Sequence, residues 1–274
     1  MDFLRWQIGQ KDLENNMKSG LQEMKVVVGI PARMGASRFP GKPLQKILGM
    51  SMLEHVYRRC LLADGIDRII IATCDEEIRI EAEAFGAEVI MTNPNIQRPG
   101  LRVAEACNKI GVPSAATVVV VQGDEPLVHP EMIEAAVAAF KSDKSALVGT
   151  LVGLASESEW LDPNEVKVAL DLEGNLMYMT RSPIPSNTRK AELVSFKQVA
   201  IMPFRNSFLN EFQSMSITPN EDIESIELLR AIEHGIKVKG IFTPHSNVSV
   251  DTPEGLREAE EAMMTDLIYQ KYKL

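Results

Sequence analysis

The chain has 274 residues, 45% of them hydrophobic and 24% charged, with 38 acidic against 29 basic side chains and a formal net charge of -9. That length buries a full core in one large domain, and the acidic balance excludes the basic stripe that nucleic acid or an anionic membrane requires. Three cysteines, Cys60, Cys74 and Cys107, are too few and too scattered for a disulfide framework or a zinc site. With no apolar run of bilayer length and no signal-peptide pattern, the expectation is a cytoplasmic protein.

Residues 1–24 precede the first strand pattern and read as an N-terminal extension. Phe3, Leu4, Trp6 and Ile8 give it apolar content, and Lys11 to Met24 has helical character. It is either an appendage packed on the domain or an artefact of start-site choice. From Val26 a continuous apolar run predicts a strand buried on both faces. A glycine- and proline-rich loop follows, carrying Arg33, Arg38 and Lys42 with no acid between them. Such a loop suits a polyphosphate, because glycines let backbone N–H groups approach oxygens and the cations neutralise charge. The competing reading is a solvated turn. It is not a Walker A loop: Pro43 stands where Mg²⁺ coordination requires Ser or Thr.

Leu53, Val56, Tyr57, Cys60 and Leu61 are spaced to share one helix face. Then come a strand over Arg68 to Ala72, a helix over Asp75 to Phe85 capped at Asp75, and a strand over Ala87 to Met91. A loop over Asn93 to Gly100 leads to a helix over Leu101 to Ile110 and an apolar strand over Thr117 to Val121. This alternation predicts an α/β fold with a doubly wound, mostly parallel sheet. Later elements are a helix over Glu131 to Phe140 and strands over Ala146 to Val152, Val166 to Leu170, Leu176 to Met179, Gln198 to Phe204 and Ile236 to Phe242. A helix over Pro253 to Tyr272 closes the chain. No linker or repeat divides residues 25–274, so they read as a single domain with an inserted region at about 155–205. His55, His129, His234 and His245 show no ligand spacing and read as surface or core residues.

The strand over Thr117 to Val121 runs into Gln122-Gly123-Asp124-Glu125-Pro126. An acid directly after a buried parallel strand lies at the carboxyl edge of the sheet, where ligands bind in this architecture. Facing the cationic loop, Asp124 suits Mg²⁺ shared with a nucleoside triphosphate, against the alternative of a turn aspartate bonding its own backbone. Asp251 precedes Thr252-Pro253, an N-cap and N1 pair, so it serves either a metal or the helix dipole.

These motifs resemble those of the sugar-activating cytidylyltransferases, most closely the 3-deoxy-manno-octulosonate (Kdo) cytidylyltransferase family. Its A-R-x-x-S-x-R-x-P-G-K-P-L appears as Ala32-Arg33, Ser37, Arg38 and Pro40 to Leu44, its Q-G-D-E-P as Gln122 to Pro126, and its V-D-T-P-E as Val250 to Glu254. The resemblance implies a GT-A-like nucleotidyltransferase fold, a homodimer built through the inserted region and a place in lipopolysaccharide biosynthesis. It implies that Ala32, Arg33, Ser37, Arg38, Lys42, Arg102 and Gln122 bind CTP and that Asp124 and Asp251 hold Mg²⁺. Arg33, Lys42 and Asp124 are then the catalytic residues.

Several positions depart from the pattern. Arg98-Pro99-Gly100 replaces S-G-T ahead of Arg102, which reshapes the contact expected with the base, and Gly255 replaces an acid. On the acceptor side the resemblance assigns Arg181, Gln198, Met202, Glu224 and Glu227. Gln198 to Phe204 has lost the histidine, both glycines and both tyrosines of H-x-G-I-Y-G-Y, and Asp222 stands for a histidine. Arg181 has a surface ion pair as its alternative, and Glu221 a capping box with Thr218. The expected reaction is CMP transfer from CTP to a Kdo-like sugar acid. The alternatives are a different acceptor, such as another acidic sugar or a phosphonate, and a non-catalytic nucleotide-binding protein.

Overall fold

The computed structural model describes residues 24–35, 39–189, 194–245 and 249–273, so residues 1–23 of the N-terminal extension, Ser37 and Arg38 lie outside the described residues. Its elements are β1 Val26–Pro31, β2 Lys46–Ile47, β3 Met50–Ser51, α1 Met52–Leu61, β4 Arg68–Thr73, α2 Glu76–Ala84, β5 Glu88–Met91, α3 Pro99–Lys109 and β6 Thr117–Val121. There follow α4 Pro130–Ser142, β7 Val148–Leu154, α5 Glu157–Leu161, β8 Lys167–Leu170, β9 Leu176–Thr180, β10 Phe196–Val199 and β11 Ile201–Arg205. The chain continues through α6 Asn206–Ser214, α7 Pro219–Glu224, α8 Leu229–Glu233, β12 Val238–Phe242 and α9 Pro253–Met264.

A ten-stranded sheet runs β5-β4-β1-β6-β11-β7-β10-β8-β9, with β12 added beside β7. The β5-β4-β1-β6 part is parallel; β11 then pairs antiparallel to β6, while β12 is parallel to β7. β8, β9 and β10, from the region expected to be inserted, join this same sheet. The apolar run of β1 is explained by burial on both faces. Val27 packs on one side with Val103, Val118 and Val120, while Val26, Val28 and Ile30 pack on the other with Leu53, Val56, Val119 and Val121. Each such fully buried branched side chain contributes about 1.5–3 kcal/mol.

Topology sets where a ligand can sit. From β1 the chain moves outward through α1 and α2 to β4 and β5, then returns through α3 to β6 on the other side of β1. The strand order therefore reverses between β1 and β6, which opens a crevice at their carboxyl ends. Helix α3 crosses β1 closely: a Cβ at Gly29 would lie 2.3 Å from a Val103 methyl.

Several elements differ from the expectation. The strand expected over Gln198 to Phe204 is two strands broken at Ala200, because β10 pairs with β7 and β8 whereas β11 pairs with β6 and β7. The closing helix ends at Met264. There Asp266 takes the backbone N–H groups of Ile268 and Tyr269, each at 3.1 Å, and pairs with Arg59, which turns the chain into a short 3₁₀ segment. Leu61 is 56% exposed rather than on the buried face of α1. Helix α3 begins at Pro99, two residues early, because the Glu227 carboxylate accepts from the N–H groups of Gly100 (3.0 Å) and Leu101 (3.3 Å).

Candidate active site

Two strand ends and two loops converge at the β1/β6 crevice. The cleft, of about 260 Å³, is lined by Pro31, Ala32 and Arg33 after β1, by Phe39, Lys42 and Pro43 in the following loop, and by Gln97, Pro99 and Arg102 at the start of α3. Gln122, Gly123 and Asp124 after β6, and Asp251 before α9, complete it. Ala32 extends β1, its N–H donating to the Ala72 carbonyl at 3.0 Å. Gly41, at φ 71°, turns the loop into the short 3₁₀ helix Lys42–Leu44. Gly123 is required by proximity: a Cβ there would lie 2.9 Å from the Pro31 carbonyl oxygen.

Lys42 is the centre of this arrangement. Its Nζ donates to Asp124 Oδ2 at 2.6 Å, Asp251 Oδ1 at 2.8 Å and the Val250 carbonyl at 3.2 Å. The Val250 N–H donates to the Asp124 carbonyl at 3.0 Å, so the two acid-bearing segments are also joined through backbone. Burial opposes the charged ammonium, yet Asp124 and Asp251 outweigh it and hold the Lys42 pKa above its ordinary value. Glu125, the next residue, is 4% exposed, and its Oε2 is among the buried atoms with no hydrogen-bond partner. Burial, with Asp124 and Glu165 nearby, pushes its carboxyl well above the usual range.

The other cations are held differently. Arg33 donates to Gln97 Oε1 at 2.5 Å across the mouth of the cleft. Arg102, 2% exposed, donates to Thr92 Oγ1 (2.5 Å) and the Ile96 carbonyl (2.6 Å), so it braces the loop ahead of α3 while lining the cleft. The departure at Arg98-Pro99 resolves into two parts. Arg98 turns to Ser225 Oγ (2.8 Å) and Glu221 Oε1 (3.3 Å), and Pro99 alone faces the cleft. Sequence reasoning missed Gln97 and Asp75. Asp75 makes no side-chain cap on α2; its Oδ2 instead accepts the Met34 N–H at 2.7 Å and ties down the cationic loop. Its signal, an acid before a helix, is the same for both uses.

Asp124 and Asp251 converge on one ammonium, and two carboxylates meeting at one positive charge form the hard-oxygen donor set that suits a divalent cation. A cation-lined cleft with an acid pair at its edge is equipped to bind a triphosphate and to manage charge during transfer at phosphorus. A family model described as cytidylyltransferase matches residues 27–238. The chain belongs to the cytidylyltransferase family. It is 35% identical over 245 residues to the 8-amino-3,8-dideoxy-manno-octulosonate cytidylyltransferase of Shewanella sp. (strain ANA-3), covering 89% of this chain and 100% of the relative. The Shewanella sediminis relative of the same description is 36% identical over the same spans. A solved structure of CMP:2-keto-3-deoxy-manno-octonic acid synthetase complexed with CTP superposes with TM-score 0.83 at 32% identity, covering 89% of this chain and all of that one. A cytidylyltransferase of Leptospira borgpetersenii, at 17% identity and TM-score 0.60 over 89% of each chain, shares the fold.

Within this cytidylyltransferase, the residues expected on the acceptor side lie outside the lining of the cleft and fall into three groups. Arg181 and Glu224 are together: Glu224 accepts from the Arg181 N–H (3.0 Å) and Thr180 Oγ1 (2.6 Å), and Arg181 Nε donates to the Glu224 carbonyl (3.0 Å). Glu227 sits at the first turn of α3, where burial raises its carboxyl pKa to about 7. Gln198 donates to Thr150 Oγ1 (3.1 Å) within the sheet, and Met202 is 3% exposed in the core. Glu221, weighed as part of a capping box, takes a two-pronged bond from Arg230 at 2.7 and 2.6 Å instead, with no side-chain cap from Thr218.

Proposed function

We propose that this cytidylyltransferase transfers CMP from CTP to a hydroxyl of a Kdo-like sugar acid, releasing pyrophosphate, and that an amino-bearing relative of Kdo is its preferred acceptor. The observation that carries the reading is the Lys42 ammonium held between Asp124 and Asp251 at the edge of a cleft lined by Arg33, Arg102 and Gln122. The relatives' descriptions support the nucleotide and the acceptor class.

In this reaction the acceptor oxygen forms a bond to the α-phosphorus as the bond to the pyrophosphate oxygen breaks, and the hydroxyl proton passes to solvent water. Arg33 and Lys42 act on the triphosphate, with Ser37 and Arg38 of the same loop assisting, where negative charge grows on the leaving group. Arg102 and Gln122 face the remainder of the nucleotide. Asp124 and Asp251 would hold Mg²⁺, which when bound lowers the hydroxyl pKa and stabilises the departing pyrophosphate. Lys42 keeps the two carboxylates converged before substrate arrives. None of the described histidines lines the cleft, so no imidazole stands ready as general base.

On the acceptor side the proposal keeps Arg181, Glu224 and Glu227 and drops Gln198 and Met202, which the sheet and the core take up. Gln198 bonds within the sheet and Met202 and Phe204 are buried in the core, so the preference for an amino-bearing acceptor rests on the relatives' descriptions. A homodimer accords with exposed Leu161 (59%), Met177 (62%) and Val194 (61%), apolar side chains in or beside the region expected to pair. A cytoplasmic setting accords with use of CTP; none of the described helices is long and apolar enough to cross a membrane. Steady-state kinetics at saturating CTP and Mg²⁺ test the acceptor. The 8-amino sugar acid should exceed Kdo in kcat/KM by about a hundredfold. A kcat/KM for Kdo equal to or above that for the 8-amino sugar acid would overturn the preference.

A further inference from the structure

Away from the cleft, three metal-ligating side chains from distant parts of the chain converge. His129 occupies the N-cap position of α4, Glu131 lies in the first turn of that helix, and His245 follows β12. One donor atom from each falls within 4.8 Å of the other two. His245 Nε2 is 2.8 Å from Glu131 Oε2, and the rings of His129 and His245 stack with centroids 3.9 Å apart and planes 8° from parallel, so one imidazole must turn out of the stack for both in-plane lone pairs to reach one ion. Sequence spacing hides this grouping, because 116 positions separate the two histidines.

We propose that His129, Glu131 and His245 form a zinc-class transition-metal site, separate from the acid pair, that clips the start of α4 to the chain leading from β12 to Asp251. Two imidazoles and one carboxylate are the donor set of a four-coordinate zinc ion whose last position is taken by water. Imidazole nitrogen selects a borderline ion over Mg²⁺, whereas the all-oxygen pair Asp124–Asp251 selects the reverse. His129 Nδ1 accepts the Glu131 N–H at a long 3.3 Å, a weak cap that a metal bond would replace.

The position of the cluster gives it a structural consequence. His129 lies five residues after Asp124, and His245 six before Asp251. These two segments already meet where the Val250 N–H donates to the Asp124 carbonyl. A metal on the histidine cluster joins His245 to the residues that follow Asp124 a second time.

The test uses the full chain stripped by chelation, with excess Mg²⁺ present to occupy hard-oxygen sites, and a calorimetric titration with Zn²⁺ alone. One equivalent should bind and raise the Tm by mass action. His129→Gln and His245→Gln should each weaken binding at least about tenfold, and Asp124→Asn should leave it intact. Absence of saturable zinc binding under Mg²⁺, or binding lost in Asp124→Asn and kept in His245→Gln, overturns the proposal. Circular dichroism checks that the variants fold. If one does not, cobalt loaded into the wild-type chain decides: strong visible d–d absorption of a four-coordinate ion supports the site, and only the weak bands of a six-coordinate ion refute it.

Discussion

Lys42 Nζ stands 2.6 Å from Asp124 Oδ2, although 82 positions separate the two residues in the chain. The pairing brings the cationic loop after β1 to the acid after β6, on either side of the point where the strand order reverses. Both groups are partly buried, with 12% and 24% of their side chains exposed, so solvent screens the interaction only in part. A third group, Asp251, arrives from before the last helix at 2.8 Å.

The first expected outcome follows from that triad. Lys42→Ala and Asp124→Asn should each lower kcat/KM for pyrophosphate release by at least about a hundredfold, because both act where charge develops. Far-UV circular dichroism should stay unchanged. A variant with normal specific activity and only a lower Tm would assign the residue a structural role.

Much of this was legible in the chain. Val26 to Pro31 and Thr117 to Val121 are apolar without alternation, which marks strands covered on both faces, and both form as read. Part of the cleft lies in the stretches after those two strands, so Arg33, Lys42, Gln122 and Asp124 could be named from their position after a strand end. What stayed hidden depends on partners far away in sequence. Asp75 reads as a cap yet bonds Met34, Glu227 holds the start of α3, and the break at Ala200 exists because neighbouring strands claim its two sides. The short helices α5, α7 and α8, of five or six residues, carry too few turns to show a period.

Gly123→Ala tests the close approach of β1 and β6. The added methyl would meet the Pro31 carbonyl oxygen at 2.9 Å, and backbone on both sides cannot yield as a side chain does. A loss of about 1–3 kcal/mol in unfolding free energy is expected, with a fall in activity from displacement of Asp124. Chemical denaturation and kinetics on the same preparation check both; unchanged values in each would show that the loop relaxes freely.

Stability should respond to pH through Glu227. Burial raises its folded pKa to about 7, from 4.5 in an exposed chain. Below 4.5 both states carry the proton. Between 4.5 and about 7 the folded state keeps a proton that the unfolded state has lost, so stability declines with rising pH by about 3 kcal/mol in all. Above pH 7 this contribution is flat. The difference between wild type and Glu227→Gln in denaturant unfolding across this range isolates the effect, and parallel curves would contradict it.

Tyr272→Phe should cost stability without altering turnover. The hydroxyl accepts from Arg59 Nε at 3.1 Å and meets His55 Nδ1 at 2.9 Å, and Arg59 is 1% exposed. Leaving that buried donor unpaired costs about 1–3 kcal/mol. Tm and kcat measured together separate this from a role in the reaction, since a drop in kcat at constant Tm would reverse the assignment.

Pyrophosphate release from each of the four nucleoside triphosphates, with Mg²⁺ and the 8-amino sugar acid, tests the central claim most directly. Release should occur with CTP, require the acceptor and yield a product of the mass of the CMP-sugar. Faster release from a purine triphosphate, or release indifferent to the acceptor, would contradict cytidylyl transfer to a sugar acid.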